Sequence, residues 1–138
     1  MKSNIIKSLE KIYSEIPDFK CQHCHKCCGP IIWFEPEEIL IRDYLQRNNL
    51  KRIIWTTNEF KKNNMICPYL SNGRCKIYPV RPIVCRLQGN INELKCKSSN
   101  NVNLLSKTKL NSIRRKYYKL IEETDGLNYI YTTHLITK

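Results

Sequence analysis

Residues 21–28 read Cys21-Gln22-His23-Cys24-His25-Lys26-Cys27-Cys28, and these closely spaced thiols decide what the rest of the chain must be. A two-residue gap lets a loop turn back on itself, so that the sulfurs at its two ends meet one metal ion or one cluster. Cys27 and Cys28 are adjacent, and neighbouring side chains in an extended loop diverge. Two such sulfurs rarely close on a single mononuclear ion. They bind different metals of a polynuclear cluster or serve two sites, unless one of them stands outside the ligand set as a supporting thiol. The remaining cysteines, Cys67, Cys75, Cys85 and Cys96, are separated by seven, nine and ten residues. None pairs with another at a two-residue gap, so each must be delivered by its own structural element. That pattern suits a small α+β domain, helices and a few short strands around a cysteine-ligated metal centre. For Cys96, in a polar, lysine-flanked stretch, an ordinary cysteine outside the ligand set is an equal alternative.

Outward from the loop, Gly29-Pro30 closes it, and Ile31–Phe34 is a short apolar run suited to a buried strand. Upstream, Ile5, Leu9, Ile12 and Ile16 recur at helical spacing behind Ser3 as N-cap, predicting a helix over 3–16 that Pro17-Asp18 ends. Downstream, Pro36 takes the preferred first helical position. Glu37 and Glu38 follow in the dipole-favoured first turn, and Ile39, Leu40, Tyr44 and Leu45 carry the helix to about Arg47. Residues 53–57 are expected to form a strand. Met65–Leu70 and Arg74–Tyr78 flank Ser71-Asn72-Gly73, which reads as a hairpin turn, and a short helical turn follows over 81–86. Leu105, Leu110, Ile113, Tyr117, Leu120 and Ile121 mark one face of a helix from about 103 to 124, with Gly126 as its stop. Residues 127–135 carry enough β-branched and aromatic side chains for a terminal strand. No repeat or linker divides the 138 residues, so one metal-binding domain over 1–138 is expected.

The hydrophobic fraction of 41% and charged fraction of 26% are those of a globular chain. No apolar run approaches the ~20 residues that span a bilayer, and charged residues interrupt the first fifteen positions where a signal peptide needs an unbroken apolar stretch. The expected location is the cytoplasm, with no membrane association. A reducing compartment keeps thiols free, so the eight cysteines point to metal or redox chemistry rather than to a disulfide scaffold. Lys plus Arg number 24 against 12 Asp plus Glu, a formal charge of +12. Metal ligation by thiolates lowers this charge without abolishing it. A basic surface favours an acidic protein partner, or nucleic acid more weakly, because the aromatic residues are not interleaved with the basic ones as a stacking platform.

Three sulfurs at successive two-residue gaps are similar to the ligand run of bacterial ferredoxins, where one loop grips several irons. A structural zinc site tends instead to pair two separate C-x2-C units, and the second unit is missing. Thiolates suit both metals, so zinc stays as the alternative to an iron–sulfur cluster. Further along come Cys67-Pro68-Tyr69-Leu70, Gly73-Arg74-Cys75-Lys76-Ile77-Tyr78 and Arg81-Pro82-Ile83-Val84-Cys85-Arg86. With the CxxCxxCC start, this order resembles the YkgJ-type cysteine-cluster family of zinc- or iron-chelating proteins; a similar cluster occurs in flagellin lysine N-methylases. The resemblance runs from about residue 18 to 96. It implies metal binding by Cys21, Cys24, Cys27, Cys28, Cys67, Cys75 and Cys85, with Cys96 a looser match. The helix after about residue 102 lies outside it.

Other candidates weigh less. His23 and His25 sit inside the loop, where they either ligate metal, donate hydrogen bonds to sulfur or face solvent. Glu37 and Glu38 lie close downstream, though first-turn glutamates mostly serve the helix dipole. Arg81 and Arg86 flank Cys85 and either offset thiolate charge or are solvated. A Ser/His/Asp arrangement would rest on the distal His134 alone, and the chain has no Gly-rich phosphate loop and no HExxH. The expected function is a protein holding an iron–sulfur cluster, or other iron, in electron transfer, metal handling or as an accessory to an enzyme. The alternative is a zinc-stabilised module that contacts nucleic acid or an acidic partner. Enzymatic activity of its own is the weakest expectation, since no loop for a methyl donor is readable.

Overall fold

The computed structural model describes residues 2–18, 28–94, 96, 104–124 and 130–135. Helix α1 (Lys2–Ser14) turns Leu9, Ile12 and Tyr13 inward, the helical recurrence seen in the sequence. Strand β1 (Ile32–Phe34) leads directly into α2 (Glu35–Arg47), which begins with Pro36 in its first turn. Helix α5 (Lys107–Glu123) is capped by Ser106, whose hydroxyl accepts the Lys109 amide at 3.1 Å. That bond satisfies one of the amides a helix start leaves unpaired. These three helices pack on one another, burying Leu9, Ile12, Leu40, Ile41, Leu45, Ile113 and Ile121 between them.

Between α2 and α5 the chain makes smaller elements. Strand β2 (Trp55–Thr56) runs into α3 (Thr57–Lys62). The strand expected over 53–57 is cut short there because Thr56 and Glu59 form a reciprocal capping box that turns the chain helical. Strands β3 (Leu70–Ser71) and β4 (Arg74–Cys75) follow as an antiparallel hairpin, with Leu70 opposite Cys75 and Ser71 opposite Arg74. The turn residues Asn72 and Gly73 both have positive φ, 52° and 74°, the backbone a two-residue type I′ turn requires. The hairpin is shorter than its flanking sequence suggests, for two local reasons. The Leu70 amide donates to the Cys67 carbonyl at 3.0 Å, making a turn around Pro68. Tyr78–Val80 is a 3-10 turn. The five-residue helix α4 (Ile83–Leu87) and a second 3-10 turn (Asn92–Leu94) complete this half.

The end of the chain closes two further ladders. Strand β5 (Ile130–Thr132) pairs antiparallel with β1, Ile32 opposite Thr132 and Phe34 opposite Ile130. Strand β6 (His134–Leu135) pairs parallel with β2, Trp55 opposite His134. The terminal strand expected over 127–135 is thus two short strands, with residues 125–129 outside the described residues. The fold is α+β, five α-helices and short two-stranded ladders among the described residues. Its helices pack around apolar side chains, and three of the described cysteines join that core: Cys67 within it, Cys28 and Cys75 at its edge. Among the described residues no helix is long and apolar enough to cross a membrane.

Candidate metal centre

The hairpin and α4 are what deliver the cysteines. The Cys67 amide donates to the Cys28 carbonyl at 3.1 Å, so the end of the cysteine loop is stitched to the segment entering β3. The two stretches run close together here, since a Cβ on Gly29 would stand 3.3 Å from the Met65 carbonyl oxygen. Cys75 lies across the ladder from Leu70, and the Lys76 amide reaches the Tyr69 carbonyl at 2.8 Å. Cys85 sits in α4, its amide bonded to the Pro82 carbonyl at 2.9 Å. Cys67 is near enough to Cys75 to feel its charge, and Cys85 is near enough to feel the charges of both. Three structural elements therefore bring three thiols to one region beside Cys28. Cys96 is half-buried and no interaction among the described residues joins it to this group. Cys21, Cys24, Cys27, His23 and His25 lie outside the described residues.

Burial pushes the Cys67 thiol up to about 11. It raises Cys75, and it raises Cys85 strongly, where the neighbouring Cys67 and Cys75 add to the effect and Arg81 opposes it. Crowded, desolvated thiols resist becoming anions together unless a cation joins them. A metal ion supplies that cation and displaces the protons. Soft sulfur donors in a partly dry site fit zinc or an iron–sulfur cluster better than a hard cation. Cys67, Cys75 and Cys85 are the described residues that would hold the group, with Cys28 alongside. Among the described residues no group of three or more His, Cys, Asp or Glu side chains is arranged to hold a metal ion.

The arginines beside Cys85 have distinct tasks. Arg81 lies over the Tyr78 ring at 4.0 Å and donates to the Tyr78 carbonyl at 2.9 Å; its charge lowers the Cys75 and Cys85 thiols against the effect of burial. Arg86 packs inward over Tyr13 at 3.8 Å and donates to the Arg81 and Pro79 carbonyls, both at 2.9 Å. It is a packing residue that ties down the approach to α4.

Glu37, bonded to the start of α4, and Glu38 beside it in the sequence do more than serve the helix dipole. Both are buried, at 0% and 1% exposure. Glu37 Oε2 accepts the Tyr13 hydroxyl and, at 2.5 Å, the Ile83 amide at the start of α4. Its Oε1 accepts the Tyr117 hydroxyl at 2.5 Å. Burial raises the Glu37 carboxyl, although these donors and Arg86 oppose the rise. Glu38 accepts Trp33 Nε1 at 2.8 Å, a fork from Arg52 with bonds of 2.9 Å, and Arg42. Burial pushes its carboxyl up, but the Arg52, Arg42 and Trp33 donors prevail and hold it below the ordinary value. A signal for both was present in the sequence. Glu37 stands four and eight residues before Ile41 and Leu45, and Glu38 three and seven before them, which puts both on the apolar stripe of α2.

No curated protein and no solved structure matches this chain. A family model does match, over residues 20–117. It extends past residue 96, where the resemblance read from the motifs ends, and reaches Tyr117 on α5. With well over half of its length inside that match and its thiols converging as described, the protein belongs to the CxxCxxCC family, described as a putative zinc- or iron-chelating domain.

Proposed function

We propose that the protein carries an iron–sulfur cluster on its cysteine thiolates and serves electron transfer, metal handling or the maturation of a partner enzyme in the cytoplasm. The observation that carries this reading is the convergence of Cys67, Cys75 and Cys85 from three elements beside Cys28. The loop run Cys21, Cys24, Cys27 and the adjacent Cys27–Cys28 pair favour a polynuclear centre. Zinc is the second reading, favoured by the same three thiols: one loop cysteine would bring them to the four ligands of a structural zinc site. Anaerobic purification with iron, zinc and acid-labile sulfide analysis tests both. Iron and sulfide in equal amounts with visible absorption support the cluster. A colourless protein with zinc and no sulfide establishes the second reading, and a chain purified without metal that also takes none up overturns both.

The partner we propose is an acidic protein surface. On α5, Lys109 and Lys116 are held by Glu15 at 2.9 and 2.8 Å. Lys107, Arg114, Arg115 and Lys119 are exposed and make no ion pair among the described residues. Tyr118, 54% exposed, stands among them. A positive face with one aromatic anchor suits docking to carboxylates.

A further inference from the structure

Glu37 is a fully buried carboxylate whose hydrogen bonds reach three different helices. The Tyr13 hydroxyl comes from α1, the Tyr117 hydroxyl from α5, and the Ile83 amide from the first residue of α4. A carboxylate out of water is tolerated only when its oxygens are satisfied, and here satisfaction requires α4 to stay where it is. Helix α4 is five residues long, too short to hold its own shape, and it carries Cys85. Within it the Cys85 and Arg86 amides return to the Pro82 carbonyl at 2.9 and 3.1 Å and Asn90 donates to the Arg86 carbonyl at 2.9 Å, while at its far end Arg86 lies over Tyr13 and Leu87 enters the core. These bonds keep the turn folded. The Ile83–Glu37 bond ties it, through a side chain, to the three-helix core.

We infer that Glu37 is a positioning residue of the metal centre, holding the start of α4 so that Cys85 is presented together with Cys67 and Cys75. The inference rests on the proposal that these thiols bind metal. Groups that orient metal ligands without touching the metal alter affinity and electronic structure when they are removed. Tyr117 shares the carboxylate without a bond to a cysteine-bearing element, so it separates support of the core from support of the site, whereas Tyr13 also lies against Arg86 of α4.

The test uses the full chain reconstituted with Co2+ alone, whose thiolate charge-transfer and d–d bands report ligand number and geometry. Glu37→Leu, which leaves the Ile83 amide no acceptor where a glutamine oxygen would keep one, should shift these bands and release Co2+ to a chelator about 10–100-fold faster than wild type. Tyr117→Phe should lower thermal stability, keep the wild-type bands and release metal within about threefold of wild type. Ile83→Pro is the decisive variant. Proline is tolerated at the first helical position, and Pro82 before it already has φ −60° and ψ 160°, which a following proline requires. The substitution deletes the amide donor, and its Cδ, standing where the N–H met Glu37 Oε2, parts the carboxylate from α4. Ile83→Ala controls for the lost side chain and should keep the wild-type bands. If Ile83→Pro shifts the bands while Tyr117→Phe and Ile83→Ala do not, the inference holds even where Glu37→Leu fails to fold. If Ile83→Pro, or a folded Glu37→Leu, keeps wild-type bands and release rates, Glu37 is a core residue only and the inference is wrong. If Cys85→Ser keeps the wild-type bands, or wild type takes up no Co2+, the thiolate reading itself has failed.

Discussion

At Cys28 the backbone and the sulfur do separable work. The carbonyl accepts the Cys67 amide at 3.1 Å, and a serine there keeps this bond while replacing a soft thiolate with a hydroxyl that holds iron or zinc poorly. Cys27→Ser and Cys28→Ser are each expected to lower metal per chain by about half or more, and Cys96→Ser to lower it least. Metal analysis of anaerobically purified variants, with visible spectra, checks this; full metal and an unchanged spectrum in Cys28→Ser would show that the adjacent pair is not shared by a polynuclear centre. Glu38 permits a prediction of different kind. Its folded-state carboxyl is depressed because the donors from Arg52, Arg42 and Trp33 outweigh burial. A depressed carboxyl stabilises the fold above its unfolded value and stops doing so as pH falls through its folded value. Glu38→Gln should therefore be about 2–3 kcal/mol less stable than wild type at neutral pH. The gap should close as the pH is taken below about 4. Urea denaturation at pH 7 and pH 3 measures it, and a gap independent of pH would refute the assignment. Glu37 has the opposite sign. Its carboxyl is raised by burial, so ionising it as pH rises opposes folding.

Among the elements, the three long helices were readable because each carries an apolar stripe at period 3.6, as Leu9 with Ile12 and Ile113 with Tyr117 show. The hairpin was readable from Asn72-Gly73, the pair that tolerates two consecutive positive φ values. Helix α3 was not, because Ile53, Ile54, Trp55, Thr56 and Thr57 have strand propensity and only the Thr56–Glu59 box reverses it. The site divides the same way. The loop cysteines announced metal by their spacing, whereas the meeting of Cys67, Cys75 and Cys85 is tertiary, and Glu37 was hidden by its usual role at helix starts. Two substitutions follow at this scale. Thr56→Ala removes the cap of α3 and should cost about 1 kcal/mol. Gly73→Ala forces a left-handed residue at φ 74° and should cost about 1–2 kcal/mol, loosening β4 and with it Cys75. Equilibrium unfolding of the metal-loaded chain gives both values, and metal retention should fall for Gly73→Ala but not for Thr56→Ala.

For the molecule as a whole, the cysteine-bearing elements are short and linked to the helical core by few bonds, so metal binding should contribute folding free energy. Chelation or acid removal of metal is expected to lower the melting temperature by more than about 10 °C, with loss of cooperativity. Calorimetry of apo and loaded protein checks it, and identical transitions would disprove it. Strands β5 and β6 each complete a ladder begun in the first half of the chain, and the Thr132 hydroxyl donates to the Ile31 carbonyl across 101 residues of sequence. A ribosome adds about 5–20 residues per second. On that clock Cys85 is made some 2–10 s before Leu135, and the cysteine loop earlier still. The thiols thus emerge while the ladders that close the fold are still unsynthesised. A metal donor acting during translation meets an open chain, and one acting afterwards must reach sulfurs already set against a finished core.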